Sequence, residues 1–153
     1  MVKSDVIYEK MLFIDMNIDE REEIIDYILQ QAEDNNLISG VSELKQAVID
    51  RENEVSTSIG FDIAMPHGKS DTVLQPFVAF LRTKKALHWN EENEETVRLI
   101  FLIAVPNENT DNMHLKFISQ ISKKLLDDEF RNVLLIEKDK EKVYELLKSI
   151  KIN

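Results

Sequence analysis

Leu99-Ile100-Phe101-Leu102-Ile103-Ala104-Val105 is an unbroken apolar run closed by Pro106, and Phe77-Val78-Ala79-Phe80-Leu81 is a second, opened by Pro76. A strand with one face in water alternates apolar and polar residues; these two do not, so both faces of each must be buried. The chain must therefore build a sheet and cover it on both sides. The covering elements are legible by their period. Ile24, Ile25, Ile28, Leu29 and Ala32 recur on one helical face, and Asn17 with Glu20 has the spacing of a capping box, which predicts a helix over 18–34. Leu44, Ala47 and Val48 mark a second helix over 41–50, leading into Arg51-Glu52-Asn53-Glu54. Phe117, Ile118, Ile121 and Leu125 mark a third, and two more are predicted over 128–136 and 140–150, the last carrying Val143, Leu146, Leu147 and Ile150. Met11-Leu12-Phe13-Ile14 reads as a short first strand. No repeat, linker or low-complexity segment divides 1–153, so the expected fold class is a single α/β domain, a central sheet with helices on both faces.

Glycine and proline are scarce, three of each, yet two glycines and one proline fall within Ile59-Gly60-Phe61-Asp62-Ile63-Ala64-Met65-Pro66-His67-Gly68. Ile63-Ala64-Met65 reads as the end of a buried strand. Pro66 removes a donor and keeps Met65 extended, and Gly68 permits a turn that a side chain would obstruct. His67 is thereby held at a rigid strand-to-loop edge, a suitable place for a nucleophile. Histidines are more often structural or solvated than reactive, and His88, beside Trp89, is read as an exposed residue near a strand end. His114 follows the polar stretch after the second apolar run; Thr110, Asp111 or Asn112 can cap the next helix, which puts His114 in its first turn. Loops beyond the carboxyl ends of strands are where α/β domains assemble their sites, so His67 and His114 are expected to be able to meet. Arg51 has two readings: a cation favoured at a helix C-terminus, or a guanidinium fork that clamps phosphate oxygens.

Composition excludes several classes. The net charge of −10 argues against nucleic acid and anionic membrane surfaces and favours a basic partner. The run Glu91-Glu92-Asn93-Glu94-Glu95 is read as a solvated loop, with guidance of such a partner as the alternative. Without cysteine there is no disulfide framework and no thiolate ligand, and no His-x-x-x-His pair supports a metal site, so no metal or cofactor is expected. No apolar run is long enough to span a bilayer and no signal-peptide core follows Met1-Val2-Lys3-Ser4-Asp5, so a cytoplasmic protein is expected.

Arg51-Glu52, Ser56-Thr57 and the stretch from Ile59 to Gly68, with Ala64-Met65-Pro66-His67-Gly68 at its core, resemble the signature of the fructose/mannitol-type enzyme IIA domains of the bacterial phosphotransferase system. The likeness continues through Leu87-His88-Trp89 and His114-Leu115, over roughly 11–150. It implies a mixed sheet between helices and the work of a phosphoryl carrier. His67 would accept the group from phosphorylated HPr and pass it to an enzyme IIB component, with no direct sugar binding and no membrane insertion. Arg51 matches the family's active-site arginine and His114 its second active-site histidine. The expected acceptor atom is Nε2, giving tele-phosphohistidine, with Nδ1 oriented by a backbone carbonyl. The alternative is a regulatory, nitrogen-type IIA paralogue that acts through protein contacts.

Overall fold

The computed structural model describes residues 6–90, 94–108 and 112–150. Strand β1 (Ile7–Met16) is followed by helices α1 (Arg21–Asp34) and α2 (Ser42–Glu54). Three short strands come next, β2 (Ser58–Gly60), β3 (Ile63–Ala64) and β4 (His67–Lys69). The long hairpin of β5 (Phe77–His88) and β6 (Thr96–Val105) leads to α3 (Met113–Lys124), α4 (Asp128–Ile136) and α5 (Lys140–Lys148). The sheet is mixed, in the order β1-β5-β6-β3-β2, with β4 also on β6. β1 runs parallel to β5, β5 antiparallel to β6, and β3 and β4 parallel to β6.

The unbroken apolar runs have the expected consequence. Successive side chains of a strand point to opposite faces. Ile100, Leu102 and Ala104 enter the core beneath α1 and α2, while Leu99, Phe101, Ile103 and Val105 enter the core beneath α3, α4 and α5. The α/β architecture with helices on both faces is therefore the one observed.

Three local expectations need correction. The capping box is absent: α1 starts at Arg21, and its N-cap Glu20 makes no side-chain cap bond. The segment after Pro66 is a strand rather than a loop. Ile63 pairs with Leu99 and His67 with Ile103, the same offset, so β3 and β4 are one strand in one register, interrupted where Pro66 lacks its N–H. Pairing through Pro66 survives on the carbonyl side, which accepts from the Ile103 N–H at 3.0 Å. Gly68, finally, does not serve a turn. It lies inside β4 against α2, where a Cβ would stand 2.9 Å from Val48 Cγ2 and 3.1 Å from Val48 N. The left-handed backbone occurs instead in the β2–β3 turn, where Gly60, Phe61 and Asp62 have φ of 86°, 57° and 64°. Of the acidic run, Glu91, Glu92 and Asn93 lie outside the described residues; Glu94 and Glu95 are exposed, and Glu95 accepts a 2.7 Å bond from the Ser58 hydroxyl.

Gly68→Ala should destabilise the fold by about 1–3 kcal/mol, because Val48 is fully buried and helix backbone must move to admit the methyl. Urea denaturation checks this, with an unchanged midpoint as the contrary result.

Candidate functional site

Helix α2, strand β4 and the first turn of α3 converge on a cavity of about 650 Å³, lined among others by Asp50, Arg51, Glu54, His67, Lys69 and His114. The convergence follows from local structure. Because β3 and β4 share one register, the residue after Pro66 is fixed against the carboxyl half of β6. Because Gly68 lacks a side chain, α2 packs directly on β4 and brings its last turn to the same edge. Alternation puts His67 and Lys69 on the strand face opposite the one by which Gly68 meets α2.

His67 and His114, brought from positions far apart in the chain, have ring centroids 6.1 Å apart with planes inclined by 30°. His67 is half-buried, and its Nδ1 lies 3.0 Å from the Met65 carbonyl oxygen. A carbonyl oxygen only accepts, so Nδ1 carries the proton and the lone pair belongs to Nε2. Burial pushes the His67 pKa below 6.5; the Met65 hydrogen bond opposes this and the nearby Arg51 charge reinforces it. His114, the second residue of α3, is likewise lowered, first by burial and then by the charge of Lys69. Asn112 occupies the N-cap position of α3 with φ 50° and no side-chain cap bond, while Thr110 and Asp111 lie outside the described residues. Among the described residues no group of three or more His, Asp or Glu is arranged to hold a metal ion.

Arg51 fits the first of its two readings, a cation at a helix C-terminus. It lies in the last turn of α2, and its Nη1 donates to the Val55 carbonyl at 2.8 Å, which closes the helix end and steadies a guanidinium that also lines the cavity. Its neighbour Glu52 is buried and points elsewhere. The Glu52 carboxylate accepts from the Thr57 N–H at 2.7 Å and the Thr57 hydroxyl at 2.6 Å, and the Thr57 carbonyl accepts from the Met65 N–H at 3.0 Å. Glu52 and Thr57 thus tie the end of α2 to the residue that orients His67. His88 closes β5, exposed and outside this cavity.

Sequence reasoning left Lys69, Asp50, Glu54 and Asn107 out of the site. Lys69 had a usable signal, since two residues on from His67 in a strand places it on the same face. The others reach the cavity only through packing.

Residues 5–150 match the family described as "Phosphoenolpyruvate-dependent sugar phosphotransferase system, EIIA 2". The chain belongs to this family. It is therefore a phosphoryl carrier component of a phosphotransferase system. A fructose-specific EIIA component of Haloferax volcanii is 30% identical over 130 residues, which cover 85% of this chain and 84% of that one. Among solved structures, the nitrogen regulatory IIA-Ntr of Neisseria meningitidis superposes with a TM-score of 0.83 at 25% identity, over 93% of this chain and 96% of that one. The mannitol enzyme IIA of Escherichia coli, in complex with phosphorylated enzyme IIB, gives 0.77 at 27% identity, over 91% and 94%. Several other relatives are much longer, and the chain spans only 14%, 21% and 16% of three of them. No helix among the described residues of this IIA chain is long and apolar enough to cross a membrane.

NMR titration should place both His67 and His114 below 6.5. Folding at neutral pH is indifferent to these shifts. As pH falls through 6.5 the unfolded chain takes up protons that the folded one resists, so both histidines contribute to loss of stability in acid. Lys69→Gln should raise the His114 value and leave that of His67 nearly in place; an unmoved His114 would remove Lys69 from its surroundings.

Proposed function

We propose that His67 is the phosphoryl acceptor of this IIA protein, receiving the group from phosphorylated HPr and passing it to an enzyme IIB component. The observation that carries the reading is the His67 ring, held through Nδ1 on the Met65 carbonyl and stacked on His114 in a cavity shared with Arg51. That arrangement leaves the Nε2 lone pair as the nucleophile. In the first step the bond from Nε2 to phosphorus forms while the bond from phosphorus to the donor breaks, and the electron pair of the broken bond stays with the donor atom. The second step repeats this with His67 as the donor. Phosphoryl transfer asks for little covalent chemistry from the protein, so placement and charge dominate. Arg51 offers a planar fork of donors to the equatorial oxygens, and His114 offers a ring N–H to the same group or keeps the entering partner in line.

The pKa directions support this reading. Only a neutral imidazole attacks phosphorus, and burial, by pushing His67 below its ordinary value, favours that neutral form. A phosphohistidine is a poor resting place for the group, which suits a relay. The fructose-specific relative in Haloferax volcanii points to fructose as the sugar, and the mannitol complex points to a IIB domain as acceptor. We place the protein in the cytoplasm on this reading, where its donor resides. The likeness to a nitrogen regulatory IIA favours a second reading, in which the same phosphorylation governs protein contacts rather than sugar uptake.

Incubated with enzyme I, HPr and phosphoenolpyruvate, the chain should gain one acid-labile, base-stable phosphate, and His67→Ala should gain none. Uptake by that variant at His114 or His88 would overturn the assignment. Arg51→Ala and His114→Ala should keep the acceptor but slow transfer by about 10²–10³-fold, with Arg51→Lys a partial rescue. Wild-type rates would make both residues structural. Fructose phosphate should form from the phosphorylated chain only when a cognate IIB–IIC pair is added. Absence of acceptance by any IIB, with His67 still phosphorylated, would favour the regulatory reading.

A further inference from the structure

The protein carries a net charge of −10, yet the lining of one groove includes four cations and a single carboxylate. It has a volume of about 430 Å³ and lies between the end of β1, the middle of β5, the start of β6 and the end of α4. Arg82, 1% exposed, forms its floor, and each of its three side-chain nitrogens donates one hydrogen bond. Its Nε donates to Asp15 at 3.1 Å, Nη1 to the Leu134 carbonyl at 2.7 Å and Nη2 to the Glu137 carbonyl at 2.6 Å. These bonds balance the one carboxylate in the groove and satisfy the carbonyl end of α4, so nothing about the helix terminus calls for more positive charge. Three further cations are nevertheless present. Arg98 gives Nε and Nη2 to the Thr83 carbonyl, at 3.1 and 2.8 Å, and Lys84 and Lys138 are exposed. None of the three forms an ion pair with a described residue, in a chain with 29 carboxylates against 19 cations.

Like charges around one concavity repel, and an anion between them removes that cost. The floor is rigid, which favours a fixed ligand over loose counterions. Arg82 is buried and held by three hydrogen bonds, one of them to Asp15, whose backbone has φ 56°, a region aspartate tolerates. The remaining wall is apolar: Leu135, half-buried, and Ile136, 72% exposed. A purely inorganic ion would leave that wall unused.

We propose that this groove binds a small phosphomonoester, its phosphate dianion held by Lys84, Arg98 and Lys138 and its carbon skeleton laid against Ile136. Arginine and lysine on a phosphate make charge-assisted hydrogen bonds, and the guanidinium of Arg98 retains Nη1 for this purpose. The groove is separate from the His67 cavity. On β6, Arg98 precedes Ile103, the partner of His67, by five residues, roughly 16 Å of strand. The proposal therefore stands whether or not His67 carries phosphate.

The test is a titration of the isotopically labelled full chain, followed by backbone amide shifts, with glycerol 3-phosphate, inorganic phosphate and chloride at matched ionic strength. Glycerol 3-phosphate should give saturable shifts centred on Asp15, Lys84, Arg98 and Ile136 to Lys138, and should bind more tightly than inorganic phosphate. Chloride should give no saturable response. The double variant Lys84→Gln/Lys138→Gln should lose about tenfold or more in affinity, while its unliganded melting temperature stays within about 2 °C because both side chains are exposed. Shifts that fail to saturate, that appear equally with chloride, that centre on His67 and Arg51, or that persist unchanged in the double variant overturn the proposal. Equal affinity for inorganic phosphate overturns the assignment of a phosphomonoester.

Discussion

Strand β6 is buried on both faces and hydrogen-bonded on both edges, and the candidate site is placed by reference to it. One edge carries β5 over most of its length; the other carries β3 and then, beyond Pro66, β4 in the same register. A register shift of one residue would turn Ile100, Leu102 and Ala104 away from the core under α1 and α2 and would misdirect their neighbours equally. That double penalty locks β6, and β4 inherits the lock through its pairing. His67 is therefore positioned by the hydrophobic core rather than by its loop. Gly68 extends the same constraint to α2, since direct backbone packing there brings Arg51 to the edge where His67 lies.

Within that frame the electrostatics favour neutral imidazole in an acidic protein. A surplus of carboxylates would ordinarily raise a histidine, and Glu52 and Glu54 do act on His67 in that sense. Burial outweighs them, and the cations that reach the cavity, Arg51 beside His67 and Lys69 beside His114, act with burial. The buried Glu52 is prevented from becoming a direct partner because two donors of Thr57 occupy its carboxylate. The Arg51-Glu52 pair thus divides its work: the arginine lines the cavity, and the glutamate fixes the chain that supports it.

Much of this was legible in the residues. Unbroken apolar runs gave the doubly covered sheet, helical periods gave the covering layers, and a proline and a glycine flanking one histidine marked His67. The meeting of His67 and His114 was also anticipated, from strand ends, whereas Arg51 joined them only through the family resemblance. What escaped the sequence has physical reasons. Strand β4 is three residues long, too short to show a period, and a proline before it reads as the end of a strand rather than a gap in one. Gly68 carries a positional meaning set by Val48, twenty residues earlier, which no local pattern contains. The capping spacing of Asn17 and Glu20 is genuine, but the helix it should open begins at Arg21, whose Nη1 donates to the Trp89 carbonyl at 3.0 Å.

The charge reading shows where a whole-chain average fails. A net charge of −10 describes the long-range field and rightly bears on the approach of nucleic acid or an anionic surface. It does not describe any one concavity, because screening confines exposed charges to a range of about 10 Å. Within such a radius the His67 cavity and the groove over Arg82 differ sharply. The His67 cavity mixes Asp50 and Glu54 with Arg51 and Lys69, a near-balanced set. In the groove over Arg82 one carboxylate meets four cations. Sites that pass a phosphoryl group onward need the first kind of balance, because a strongly positive pocket would trap the group it must release. A pocket that retains an anion needs the second. The contrast is local and arises from pairs far apart in sequence, so one small acidic fold carries both kinds of charge balance.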